Sequence, residues 1–156
     1  MDANEFRDMS LMAFRLDDPP AEIVSDLGRE VNPDSEAMNG VLSEKPWSMV
    51  PSDALERNAK NIASMTVPAF TYFLPAFMCA ALRQPDGECA TYSMYALCPL
   101  ASFDTFYKTT CLLFTPEQAG VVAKFLLELQ HDPSFTLFDE EIQPALELWH
   151  KRSMGG

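Results

Sequence analysis

From Asn61 to Leu82 the chain carries no charged side chain, a run of 22 residues in a sequence whose formal net charge is −12. Such a stretch must leave water, and either a bilayer or the interior of a globular domain can take it. Asn61, Ser64, Thr66, Pro68, Thr71 and Pro75 break its apolar character. Thr66-Val67-Pro68 reads as a helix N-cap followed by proline in the first turn. The expectation is therefore a buried central helix from about Val67 to Leu82 rather than a membrane span. It is apolar all round, with Phe70, Phe73, Leu74, Phe77, Met78 and Ala81 on one side and Ala69, Tyr72, Ala76 and Ala80 on the other. Pro75 removes one backbone donor, frees the carbonyl of Thr71 and should bend the helix there.

The flanks are built differently. Residues 1–60 hold 13 acids and 6 bases, residues 61–114 hold 3 and 2, and residues 115–156 hold 7 and 3. A neutral middle between acidic flanks predicts one helical domain over residues 1–152, wrapped on the central helix, with a flexible tail at 153–156. At 156 residues the chain is long enough to bury roughly 68–70% of its unfolded surface without staples. Phe6 to Leu16 has helical apolar spacing, and Asp17-Asp18-Pro19-Pro20 stops it. Ile23, Val24 and Leu27 form a short helical stripe before Gly28, and Pro33 to Leu42 reads as a weaker helix. Lys45 to Pro51 must be a loop, and Ser52 caps a helix bearing Leu55, Ala59, Ile62 and Ala63. Gln84 to Gly87 is a turn, and Tyr92 to Cys98 a short helix before Pro99. Phe103 to Phe114 favours strand by composition, so a short extended segment near 105–113 competes with a second short helix. Thr115-Pro116-Glu117-Gln118 is a capping box opening a helix that ends at His131-Asp132-Pro133. The last helix starts near Asp139, where Glu140 and Glu141 complement its positive end. The fold class is mainly α, a compact bundle.

The chemistry is defined mostly by exclusion. GxSxG, P-loop, GxGxxG and HExxH patterns are missing. Cys79, Cys89, Cys98 and Cys111 form neither CxxC nor CxxH, which removes the zinc-knuckle and thioredoxin readings. An acidic N-terminus with no apolar stretch behind it is unlike a signal peptide, so reduced cysteines in a cytoplasm are expected. His131 and His150 fall at helix ends and read as solvated. Neighbouring carboxylates at Asp17-Asp18 or Asp139-Glu140-Glu141 cannot all face one ion from a helix, so no metal site and no cofactor are expected. Trp47, in a proline-flanked loop, either clamps that loop to the core or anchors a partner, and the clamp is favoured.

Three motifs carry a resemblance: the loop Trp47, the run from Thr66 to Phe77, and Phe114-Thr115-Pro116-Glu117-Gln118 followed by Phe125-Leu126. Together they resemble a family of small uncharacterised bacterial proteins. Its pattern is a loop tryptophan, a Tyr-(Tyr/Phe)-Leu-Pro-Ala-(Phe/Tyr) helix and a Leu-Thr-Pro-Glu-Gln helix. The likeness spans roughly Leu11 to Gln130, with Phe114 where leucine is usual. It implies a bacterial cytoplasmic helical domain and no particular activity.

Charge then shapes the functional expectation. A net-negative surface repels phosphate backbones, which disfavours nucleic acid and favours a basic protein partner. The leading reading is a non-enzymatic, immunity-type inhibitor of a basic toxin such as a nuclease. Its contact surface is expected in the acidic segments 17–36 and 139–147, with Asp17, Asp18, Glu22, Asp139, Glu140 and Glu141 as first candidates. The alternative is a regulatory or scaffold domain that self-associates through Phe103, Phe106 and Tyr107. The third is an enzyme with an unrecognised carboxylate pair, which would need a polar cleft holding two carboxyls of raised pKa.

Overall fold

The computed structural model describes residues 1–156. In chain order the helices are α1 (Ala3–Ala13), α2 (Asp26–Val31), α3 (Ala37–Leu42), α4 (Ser52–Asn58), α5 (Val67–Arg83), α6 (Glu88–Leu97), α7 (Phe103–Thr109), α8 (Pro116–His131) and α9 (Asp139–Ser153). Short 3-10 turns at Pro33–Glu36, Trp47–Met49, Ala59–Ser64, Cys111–Leu113 and Pro133–Phe138 connect them. The fold is a mainly-α single domain, as the neutral-core pattern predicts.

The expected central helix is α5. Thr66 caps it, its hydroxyl accepting from the Ala69 N–H at 3.1 Å, and Phe73 to Ala81 are buried without a break. It packs on α1, α4, α6 and α8 and on the Trp47–Met49 turn, which is why no polar stripe is needed on any side. Pro75 lies inside it and the helix continues to Arg83. No helix of the molecule is long and apolar enough to cross a membrane. The α8 capping box is formed from both sides: Thr115 Oγ1 accepts from the Gln118 N–H at 3.2 Å, and Gln118 Oε1 accepts from the Thr115 N–H at 3.0 Å. α8 then packs along α9, whose Trp149 donates from Nε1 to the Leu97 carbonyl at 2.9 Å and ends α6.

Three local expectations are corrected. Ile23 and Val24 are extended rather than helical. Val24 makes an isolated antiparallel bridge to Met65, and the Ile23 carbonyl accepts from the Thr66 N–H at 2.7 Å. Their own N–H groups donate to Asn39 Oδ1, so this β-branched pair is satisfied by distant partners and α2 starts only after Ser25. The segment near 105–113 is not extended: it is α7 followed by the Cys111–Leu113 turn. Ser102 Oγ accepts from the Thr105 N–H at 3.2 Å, and Phe106 packs edge-on against Trp149, so a cap and core packing override strand composition. Ser52 is the first residue of α4 and makes no cap bond. At the C-terminal end α9 runs through Ser153, and the Gly156 N–H donates to the Lys151 carbonyl at 3.1 Å.

Candidate functional site

The loop that leaves α1 is held by side chains from three other elements. The carbonyl of Ala13 accepts from Gln118 Nε2 of α8 at 3.3 Å. The carbonyl of Arg15 accepts from Trp47 Nε1 at 3.0 Å, and that of Leu16 from the Tyr72 hydroxyl of α5 at 2.7 Å. Trp47 is 1% exposed, so it is the clamp rather than an exposed anchor. Loop carbonyls normally rely on water, and donors from three elements fix the backbone instead. The capping-box glutamine, the loop tryptophan and the tyrosine of the Tyr-Phe-Leu-Pro motif thus meet on one short loop.

The braced loop presents Arg15, Asp17 and Asp18. Arg15 donates to Asp17 through Nε at 3.1 Å and Nη2 at 2.8 Å, and through Nη2 to Asp18 at 3.0 Å. The guanidinium hydrogen bonds hold the Asp17 carboxyl below its ordinary range, and the reciprocal bond raises Arg15. Asp18 has φ 54°, in the left-handed region that aspartate tolerates better than most residues. All three side chains remain largely exposed, so the ion pairs themselves add little stability. They line a cleft of about 300 Å³ floored by Tyr72, Thr71 and Leu113. Burial raises the Tyr72 hydroxyl, whose proton is committed to the Leu16 carbonyl. Asp17 is thus shifted the opposite way from the raised carboxyls that the expected acid–base pair needs.

The other expected residues lie elsewhere. Glu22 is exposed, 3.6 Å from Arg29, which also pairs with Asp26 and Glu36. The hydrogen bond that Arg29 donates to Glu36, and then the surrounding carboxylates, raise Arg29. Asp139, Glu140 and Glu141 form the exposed first turn of α9 and join no ion pair with the 17–36 segment. Of the six candidates, only Asp17 and Asp18 line the cleft. The sequence pattern gave no sign that Arg15, Tyr72, Gln118 and Leu113 would complete the cleft: Tyr72 reads as core and Gln118 as a cap, and both have a second role. Phe106 and Tyr107 are buried while Phe103 is exposed, so these three residues do not make one apolar face.

A more apolar groove, about 390 Å³, runs between the 62–70 segment and α6–α7, with Leu100, Tyr95, Val67 and Leu113 on its walls. Cys98 also reaches it. Burial, and then the charge of Glu141, push that thiol up to about 12, so it is a neutral wall rather than a nucleophile. All four cysteines are buried and unpaired. No three His, Cys, Asp or Glu side chains converge as metal ligands would.

Residues 8–153 match a family described as a family of unknown function (DUF6714). The chain belongs to this family. The match runs from within α1 to the last residue of α9, so the domain described here is the family's domain, with the braced loop and both clefts inside it. No curated protein and no solved structure matches the chain.

Proposed function

We propose that this protein is an acidic protein-binding module of the immunity type, a bacterial cytoplasmic inhibitor that neutralises a basic toxin such as a nuclease and has no catalysis of its own. The observation that best supports this reading is the bracing of the Arg15–Asp18 loop. Its carboxylates are exposed, yet its backbone is tied to three elements, so little ordering is required when a cationic surface docks. Residues 17–36 contain seven acids and one base, Arg29, which favours fast, salt-sensitive encounter with a positive active site. Glu22 extends this surface, and Asp139, Glu140 and Glu141 supply a second acidic edge.

The test is co-expression with the product of the gene adjacent to this one, assayed first for toxicity on its own. Wild-type protein should protect the cell and form a complex at low ionic strength that weakens with added salt. The double variant D17N/D18N should weaken the complex roughly twofold to thirtyfold, the worth of two partly exposed charge pairs. Absence of both protection and a low-salt complex refutes the reading.

A further inference from the structure

The polar cleft and the apolar groove are neighbours. Leu113 lines both, and so does the first turn of α5, where Pro68 and Thr71 face the cleft while Val67 and Phe70 face the groove. Leu113 sits as a saddle at the end of the Cys111–Leu113 turn, fixed between buried Cys111 and buried Phe114, with 40% of its own surface exposed. Beyond it the groove offers Leu100, 90% exposed, and Val67, 56% exposed. Apolar surface left open in this way, continuous with a charged rim, marks a binding face more often than a scattered leucine does. Its volume falls within the roughly 300–1,000 Å³ of ligand-binding clefts.

We infer that cleft and groove form one bipartite docking site for a segment of a basic protein, which lays large apolar side chains in the groove and one lysine or arginine over Asp17 and Asp18 across Leu113. The inference rests on the proposed function above and names the chemistry of the contact. Charge selects the occupant. Asp18 accepts from Arg15 through Oδ2 and makes no protein hydrogen bond through Oδ1, so it can take a second cation. Arg15 is the one base lining the cleft; it pairs with both carboxylates, so one positive and two negative charges leave the rim with one negative charge in excess, and Lys108 is already paired with Asp104 at 3.1 Å. An acidic segment would meet Asp17 and Asp18 unfavourably. A second copy of this chain carries the same formal net charge of −12 and would be repelled as a whole.

A helical leucine–lysine peptide is the probe, with a leucine–glutamine peptide and a serine–lysine peptide as controls, and binding is followed by titration calorimetry. The leucine–lysine peptide should bind most tightly. Leu100→Asp and Leu113→Asp should each weaken it about tenfold, the lower bound for one buried leucine side chain, and D17N/D18N should weaken it severalfold. Leu100→Asp decides between groove and bulk charge. It adds a negative charge, so attraction to the acidic surface alone predicts unchanged or tighter binding. At 90% exposure the substitution disturbs no packing, and circular dichroism verifies the fold of each variant. No binding, binding unaffected by the groove variants, binding unaffected by D17N/D18N, or self-association that Leu100→Asp abolishes each overturns the inference. Toxin protection that Leu100→Asp leaves intact would overturn the inference and leave the proposed function standing. Failure of protection by the wild type removes that function instead.

Discussion

Gly28 is the position at which two physical effects oppose each other most cleanly. It lies inside α2, where alanine is favoured over glycine by ~1 kcal/mol. A Cβ at this position, however, would sit 2.4 Å from the Ser64 carbonyl oxygen and 2.9 Å from the Ser64 Cα. Ordinary carbon contacts are about 3.5–4.0 Å, and both obstacles are backbone. Relief requires α2 to move away from the Ala59–Ser64 turn. That movement strains the Ser25 N–H bond to the Ser64 carbonyl at 2.9 Å and the Asn32–Asn61 side-chain bond at 2.7 Å. Overpacking costs ~1–3 kcal/mol and a weakened hydrogen bond ~1 kcal/mol, against the ~1 kcal/mol of helix propensity gained. Gly28→Ala should therefore destabilise the protein by about 1–3 kcal/mol and lower Tm by roughly 3–10 °C. Gly40, in α3, is the control: an added Cβ meets nothing within 4 Å. Gly40→Ala should be neutral or stabilising by up to ~1 kcal/mol. Urea denaturation followed by far-ultraviolet circular dichroism reads both, provided the m-values agree. Equal stability of the two variants would refute the steric reasoning.

Two further outcomes follow from a helix cap supplied by a distant element and from the buried thiols. Glu56 of α4 accepts through Oε2 from the Glu88 N–H at 2.8 Å and the Cys89 N–H at 3.2 Å, capping α6 from a distant element. Glu56→Ala should cost ~1–2 kcal/mol, and Gly87→Ala should lower the urea midpoint too, because its Cβ would lie 2.8 Å from that carboxylate. Burial pushes Cys98 and Cys111 up to about 12 and raises Cys79 and Cys89 as well, whereas unfolded thiols ionise at about 8.5. Above that pH the unfolded chain sheds protons that the folded chain retains. Stability should therefore fall as pH rises toward about 12, by at most ~1.4 kcal/mol per pH unit for each thiol. Urea midpoints from about pH 8 to about pH 11 should show this decline, and Cys98→Ala with Cys111→Ala should make it shallower, Cys79 and Cys89 supplying the remainder. An unchanged slope in the double variant would show that these thiols are not its source.

The elements that can be recognised from the chain alone are those whose stabilising bonds close within one turn. The Thr115–Gln118 box and the Thr66 cap each span three residues, so residue order carries the whole interaction. The charge-free run likewise had to be buried over most of its length, whatever surrounded it, with Val67 left exposed at the start of α5. Ile23 and Val24 escaped the helical pattern because their partners, Met65 and Thr66, lie some forty residues away. The strand bias near 105–113 lost to contacts with Trp149, which local propensity cannot represent. The acidic candidates follow the same division. Composition locates the carboxylates, but it could not say that Arg15 would bind two of them, or that Trp47, Tyr72 and Gln118 would grip the carbonyls beneath them. Hydrogen bonds are short and directional, so those meeting across distant stretches of chain exist only once folding has brought donor and acceptor within about 3 Å.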